Sequence, residues 1–96
     1  MADLSVVATI PAKAGFEKEV GDALSKLAVA SRDEPGCISY VLYESQATPG
    51  TFVTIESWKS KADLDVHMEA AAFQQAMAEA GQHLGEVAIH PLTLVV

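Results

Sequence analysis

The sequence predicts an α+β fold, a ferredoxin-like βαββαβ subunit whose four-stranded antiparallel sheet carries its helices on one face. Three observations carry that prediction. The hydrophobic pattern switches between strand and helix periods in the order strand, helix, strand, strand, helix, strand. The dipeptides Pro35-Gly36 and Pro49-Gly50 punctuate the chain on either side of the second strand, and no low-complexity linker interrupts it. The first, second and last strands are apolar on both faces, which a sheet covered on one side alone does not require.

In the first strand Leu4, Val6, Ala8 and Ile10 alternate with Ser5, Val7 and Thr9, and Pro11 closes it. After a turn over 12–15, Phe16, Val20, Leu24, Leu27 and Ser31 step by three or four along the inner face of a helix ending near Arg32. Its wet face carries Glu17, Lys18, Asp22 and Lys26. Glu34-Pro35-Gly36 is a turn. Residues 37–45 form the second strand, with Ile38, Tyr40, Leu42 and Glu44 on one side and Val41 and Tyr43 on the other. A hairpin connection over 46–50 leads into the third strand, 51–59. Ser60, with Asp63 three residues on, caps a short helix through Met68 whose inner face holds Leu64, His67 and Met68. A second helical piece, 70–80, keeps Phe73, Ala76, Met77 and Ala80 in register and stops at Gly81. The last strand spans 85–96. It is broken at Pro91, which cannot donate a ladder bond and so belongs on an edge or at a bulge.

A chain of 96 residues makes one domain, 1–96. A monomer of this size buries only about 60–65% of its unfolded surface, yet 50% of the residues are hydrophobic and 20% charged. That excess, with the two-sided strands, points to a second copy covering the bare sheet face in a back-to-back homodimer. The run Leu92-Thr93-Leu94-Val95-Val96 is too apolar to fray in water and is expected to lie on the partner subunit. A net charge of −7 has the wrong sign for phosphates, so nucleic acid and anionic membrane surfaces are excluded as partners. The absence of a long apolar run and of a basic leader points to a soluble, cytoplasmic protein. Cys37, the one cysteine, has no internal partner and is read as a small buried filler.

The stretch from Thr51 to Phe73 concentrates the chemistry. Phe52, Thr54, Glu56 and Trp58 share one strand face, and the helix that follows brings His67 over it, with Phe73 beyond. A carboxylate, an indole and an imidazole converging on an apolar space make a small-molecule site. Packing is the competing explanation, because a strand-end Trp is usually core and buried polar groups usually have structural partners.

Ile10-Pro11-Ala12-Lys13 with Gly15, Glu34-Pro35-Gly36-Cys37 followed by Tyr40, Tyr43-Glu44 with Pro49-Gly50-Thr51-Phe52, Glu56-x-Trp58, and His67 with Phe73 together resemble the antibiotic biosynthesis monooxygenase (ABM) domain family over nearly the whole chain. The resemblance implies a dimeric α+β barrel of ferredoxin-like subunits, each with a pocket between helices and sheet. It also implies, among other activities of the superfamily, oxidation of quinol-like or polyphenolic molecules by molecular oxygen with no cofactor, neither metal nor flavin. On that basis His67 is the general base or phenol-orienting group and Trp58 a flat wall or hydrogen-bond donor for a small aromatic substrate. Glu56 would orient His67 or a substrate hydroxyl, and Tyr40, Thr54, Phe73 and Met77 would line the same space.

The chain departs from the family pattern in places. Oxygenating members often carry Asn where Thr54 stands, and many relatives carry a second His where Ala72 stands. Ala8 and Met77 occupy the positions at which haem-degrading relatives place an Asn and an iron-binding His. His83 and His90 lack ligand-like spacing to His67. The alternative to a monooxygenase is a non-catalytic ligand-binding or stress-response module on the same dimeric fold.

Overall fold

A computed structural model describes residues 3–96. Its elements are β1 (Leu4–Pro11), α1 (Glu17–Ser31), β2 (Cys37–Glu44), β3 (Thr51–Trp58), α2 (Lys61–Glu69), α3 (Ala71–Ala80), a single 3-10 turn at Gly81–His83, and β4 (Ala88–Leu92). The four strands form one antiparallel sheet in the order β2-β3-β1-β4, and the helices pack on one face of it. This is the ferredoxin-like arrangement that the element order predicts.

The central strands show why the alternation fixes the layers. Val6 pairs with Glu56, Ala8 with Thr54 and Ile10 with Phe52, and all six side chains are buried under the helices. The intervening rows face the other way. Helix α1 buries Val20, Ala23, Leu24, Leu27, Ala28 and Ser31; the Ser31 hydroxyl can sit in that apolar face because it donates to the Leu27 carbonyl at 2.6 Å. Ser60 caps α2 as expected, its Oγ accepting from the Asp63 amide at 3.2 Å. Ala70, extended at ψ 155°, separates α2 from α3.

Three expectations need correction. Phe16 does not join the inner face of α1; it is the N-cap residue and stacks on the His83 ring at 4.0 Å and 7°. Ile38 does not share a face with Tyr40, because the pairing shifts between Cys37 and Ser39 and leaves Ile38 as the extra residue of a bulge, 48% exposed. Gly81 ends α3 as the sequence predicts, and at φ −55° it leads the chain into the 3-10 turn. The last strand is only Ala88–Leu92, on the sheet edge, and Leu94, Val95 and Val96 beyond it are exposed.

The face away from the helices is apolar and bare. Val41, Ile55, Val7 and His90 form one row across it, and Tyr43, Val53, Thr9 and Ala88 the next. Among the described residues no helix is long and apolar enough to cross a membrane.

Candidate functional site

Strand β3 delivers Thr54, Glu56 and Trp58 to the helix-covered face, where all three are buried. A carboxylate so placed must find donors. Glu56 finds them on its own strand face, two residues away in each direction: Thr54 Oγ1 donates to Oε2 at 2.6 Å, and Trp58 Nε1 donates to Oε1 at 2.9 Å. Both oxygens are therefore engaged within the strand. The sequence suggests Glu56 as the orienter of His67, and the structure assigns that contact elsewhere.

His67 lies on the inner face of α2, 3% exposed, and its Nδ1 meets the Glu34 carboxylate at 3.1 Å to Oε1 and 3.3 Å to Oε2. Glu34 belongs to the turn between α1 and β2, a segment that sequence reasoning treats only as a connection. The turn is held against α2. The Gly36 carbonyl accepts from the Lys59 amide at 2.9 Å, and a Cβ on Gly36 would collide with the Asp63 side chain in the first turn of α2. Glycine thus permits the close approach that carries Glu34, 33 positions away in sequence, to the imidazole.

Three aromatic rings surround His67: Trp58 with centroids 4.6 Å apart, and Tyr40 and Phe73 at 5.5 Å each. Beside it opens a cavity of about 140 Å³ between helices and sheet. Its polar walls are Tyr40, Thr54, Glu56 and His67; Phe73, Met77 and Leu24 are among its apolar ones. The C-terminal segment adds Leu84, Val87 and Ile89, which no motif flagged. Trp58 is fully buried behind His67 and is not a wall of this cavity; it meets Tyr40 edge-on and bonds Glu56. Of the residues singled out from sequence, the fold therefore gathers Tyr40, Thr54, Glu56, His67, Phe73 and Met77 around one space, with Trp58 supporting it.

Burial raises the Tyr40 pKa above its ordinary value, the nearby Glu56 charge raises it further, and the neighbouring Thr54 hydroxyl pulls weakly the other way. Tyr40 is consequently a neutral phenol, a hydrogen-bond donor, throughout the physiological range. Burial first, then Glu34 and Glu56, also push the Cys37 thiol up, which fits a filler and not a nucleophile. His83 is spent on Phe16 and His90 sits on the bare face. Among the described residues there is no group of three or more His, Cys, Asp or Glu positioned to hold a metal ion.

A ferredoxin-like subunit with a buried His-lined cavity between sheet and helices defines the class of protein. The antibiotic biosynthesis monooxygenase family model matches residues 3–79, and the chain belongs to that family. It is 40% identical over 60 residues to an uncharacterised protein of Synechocystis, covering 62% of this chain and 41% of that protein. It is 41% identical over 49 residues to YcnE of Bacillus subtilis, a proposed monooxygenase, covering 51% of this chain and 52% of YcnE. The chain thus spans about half, or less, of the length of these curated relatives. The crystal structure of PA3566 from Pseudomonas aeruginosa superposes with a TM-score of 0.93 at 28% identity, covering 100% of this chain and 97% of that one.

Proposed function

We propose that the protein is a cofactor-independent monooxygenase that oxidises a quinol-like or polyphenolic small molecule with molecular oxygen, and that it works as a homodimer. One observation carries the activity: an imidazole and a neutral phenol, both buried, share a mostly apolar cavity of ring size with Thr54 and Glu56. Such a site suits a substrate that brings its own electrons. One benzene-1,4-diol and one O2 give one hydroxybenzoquinone and one water; the diol supplies all the electrons, one oxygen atom enters the ring and the other leaves as water. The protein's share is to bind the ring, take a proton at His67 and exclude solvent.

Oxygen uptake by protein freed of metal and flavin tests this. A hydroquinone or naphthoquinol should be consumed faster than in buffer, with the rate rising with pH as the phenol ionises. A panel of quinols that shows no acceleration overturns the enzyme assignment. The binding-module alternative draws on one observation, that Glu56 and Trp58 satisfy each other and leave a ligand fewer polar partners. Trp58 fluorescence that still answers to aromatic ligands in the absence of turnover would favour it.

The homodimer rests on the bare face, where Val41, Tyr43 and Ile55 are 38%, 52% and 50% exposed on adjacent positions. Back-to-back packing of two such sheets covers them, and the exposed Leu94-Val95-Val96 segment gains a surface to lie on. Light scattering should give twice the subunit mass, and Ile55→Lys should give monomer. A wild-type monomer at micromolar concentration removes this part of the proposal.

A further inference from the structure

We propose that Glu34 fixes His67 in its Nδ1–H tautomer, so that Nε2, on the cavity that Tyr40 also lines, takes the proton of a hydroxyl group on a single-ring aromatic ligand seated there. This rests on the cavity being the small-molecule site argued above, and adds the positioning residue, the atom that receives the proton and the size of the ligand.

The tautomer follows from the partners. An ionised carboxylate only accepts, so the imidazole nitrogen facing Glu34 at 3.1 Å and 3.3 Å carries the hydrogen. In the neutral ring the other nitrogen is then a bare acceptor. Among the described residues Nε2 has no hydrogen-bond partner, yet no side-chain nitrogen or oxygen there is sealed from solvent without one; Nε2 therefore opens on the cavity that His67 lines. The residue as a whole is 3% exposed, and the cavity is the opening that it lines. Tyr40, 4% exposed and held neutral, presents a phenolic donor to the same space, its ring 5.5 Å from the imidazole.

An acceptor and a donor on the wall of one cavity are the complement of one hydroxyl group, which donates to Nε2 and accepts from Tyr40. Glu34, Tyr40 and Glu56 are the ionisable groups around the imidazole, and Glu56 is already engaged by Thr54 and Trp58. The remaining walls are apolar and the volume is about 140 Å³, close to the engineered apolar cavity of about 150 Å³ that admits one benzene ring. A tricyclic ring system does not fit. When the bound ring passes an electron to oxygen, its hydroxyl becomes strongly acidic: the O–H bond breaks, the proton moves to Nε2, and the imidazolium so formed keeps its Nδ1–H on the Glu34 carboxylate.

Nitrogen-15 NMR of histidine-labelled wild-type protein reads the tautomer directly, without substrate and without a variant. The expected result is a protonated Nδ1 and an unprotonated Nε2 for His67, and a shift of Nε2 alone when phenol or hydroquinone is added. Glu34→Ala should return the ring toward the Nε2–H form favoured by a free imidazole, a change that a merely structural Glu34 would not produce. Phenol should bind about tenfold tighter than its methyl ether, the worth of one well-placed buried hydrogen bond, and anthrone should not bind. A protonated Nε2 in the wild-type protein, or equal affinity for phenol and methyl ether, overturns the dyad while leaving a cavity that binds aromatics. Absence of any response to phenol, methyl ether or hydroquinone overturns the cavity assignment and the dyad with it.

Discussion

Two carboxylates support the same buried site, one through His67 and one through Trp58, and they do different work. Glu56 sits in the middle of the sheet, its oxygens bonded to Thr54 and Trp58 on its own strand. Glu34 sits in a turn, bonded to His67 across 33 positions of sequence. The first arrangement is closed: donors and acceptor all lie on one rigid strand, so the trio holds the strand face together and each carboxylate oxygen already has its donor. The second is open, because the imidazole passes the influence of the carboxylate on to a nitrogen that faces the cavity. What separates a structural carboxylate from a functional one here is whether its partner has a second polar atom with somewhere to point.

The largest expected effect breaks the closed trio. Glu56→Leu leaves the Thr54 hydroxyl and the Trp58 indole N–H buried without partners, each costing about 1–3 kcal/mol, so urea unfolding should show a loss of about 2–5 kcal/mol. Glu56→Gln keeps the shape and one acceptor oxygen, and should lose less. A Glu56→Leu protein of wild-type stability would mean that the trio is not what holds the strand face.

The same contrast explains what could be read from the sequence. The face shared by Phe52, Thr54, Glu56 and Trp58 was legible because strand periodicity is local and needs no knowledge of the fold. The Ser60 cap, and His67 beside Leu64 on one helix face, were legible for the same reason. Glu34 was not, because its role depends on a turn pressed onto α2, and the clue, Gly36 against Asp63, exists only in three dimensions. Ile38 was misplaced since a bulge shifts the side-chain alternation without leaving a residue signature at that point. Hydrophobicity alone extends the last strand through Val96, whereas an edge strand with Pro91 in it pairs only with β1 over five positions. The walls at Leu84, Val87 and Ile89 carried no signal, being ordinary apolar residues placed by topology.

The open pair should respond to a gentler change. Glu34→Gln retains an acceptor oxygen for the Nδ1–H but removes the charge that stabilises the imidazolium once it forms. Stability should change by no more than about 1 kcal/mol, while kcat for quinol oxidation falls about tenfold to a hundredfold, less than the roughly 10²–10⁴-fold that a general base itself contributes because His67 is still present, and KM stays nearly constant. Equal losses in stability for Glu34→Gln and Glu56→Gln, with no change in turnover, would erase the distinction between the two carboxylates.

The smallest effect concerns Tyr40, which faces both. Its folded pKa lies above the ordinary value of 10.0, chiefly through burial and then through Glu56. Below that value the group is neutral in both the folded and unfolded chains, and its contribution to stability is fully present. As pH rises past 10.0 the unfolded chain releases the proton while the native protein still holds it, so unfolding becomes progressively easier. Denaturation curves should accordingly be flat in this respect through neutral pH and shift to lower urea from about pH 10 upward. Tyr40→Phe deletes the titrating group and should flatten that alkaline slope relative to wild type, at a modest constant cost for the lost hydroxyl. An unchanged slope in Tyr40→Phe would mean that Tyr40 ionises as readily in the fold as outside it, and the neutral phenol donor facing His67 would have to be abandoned.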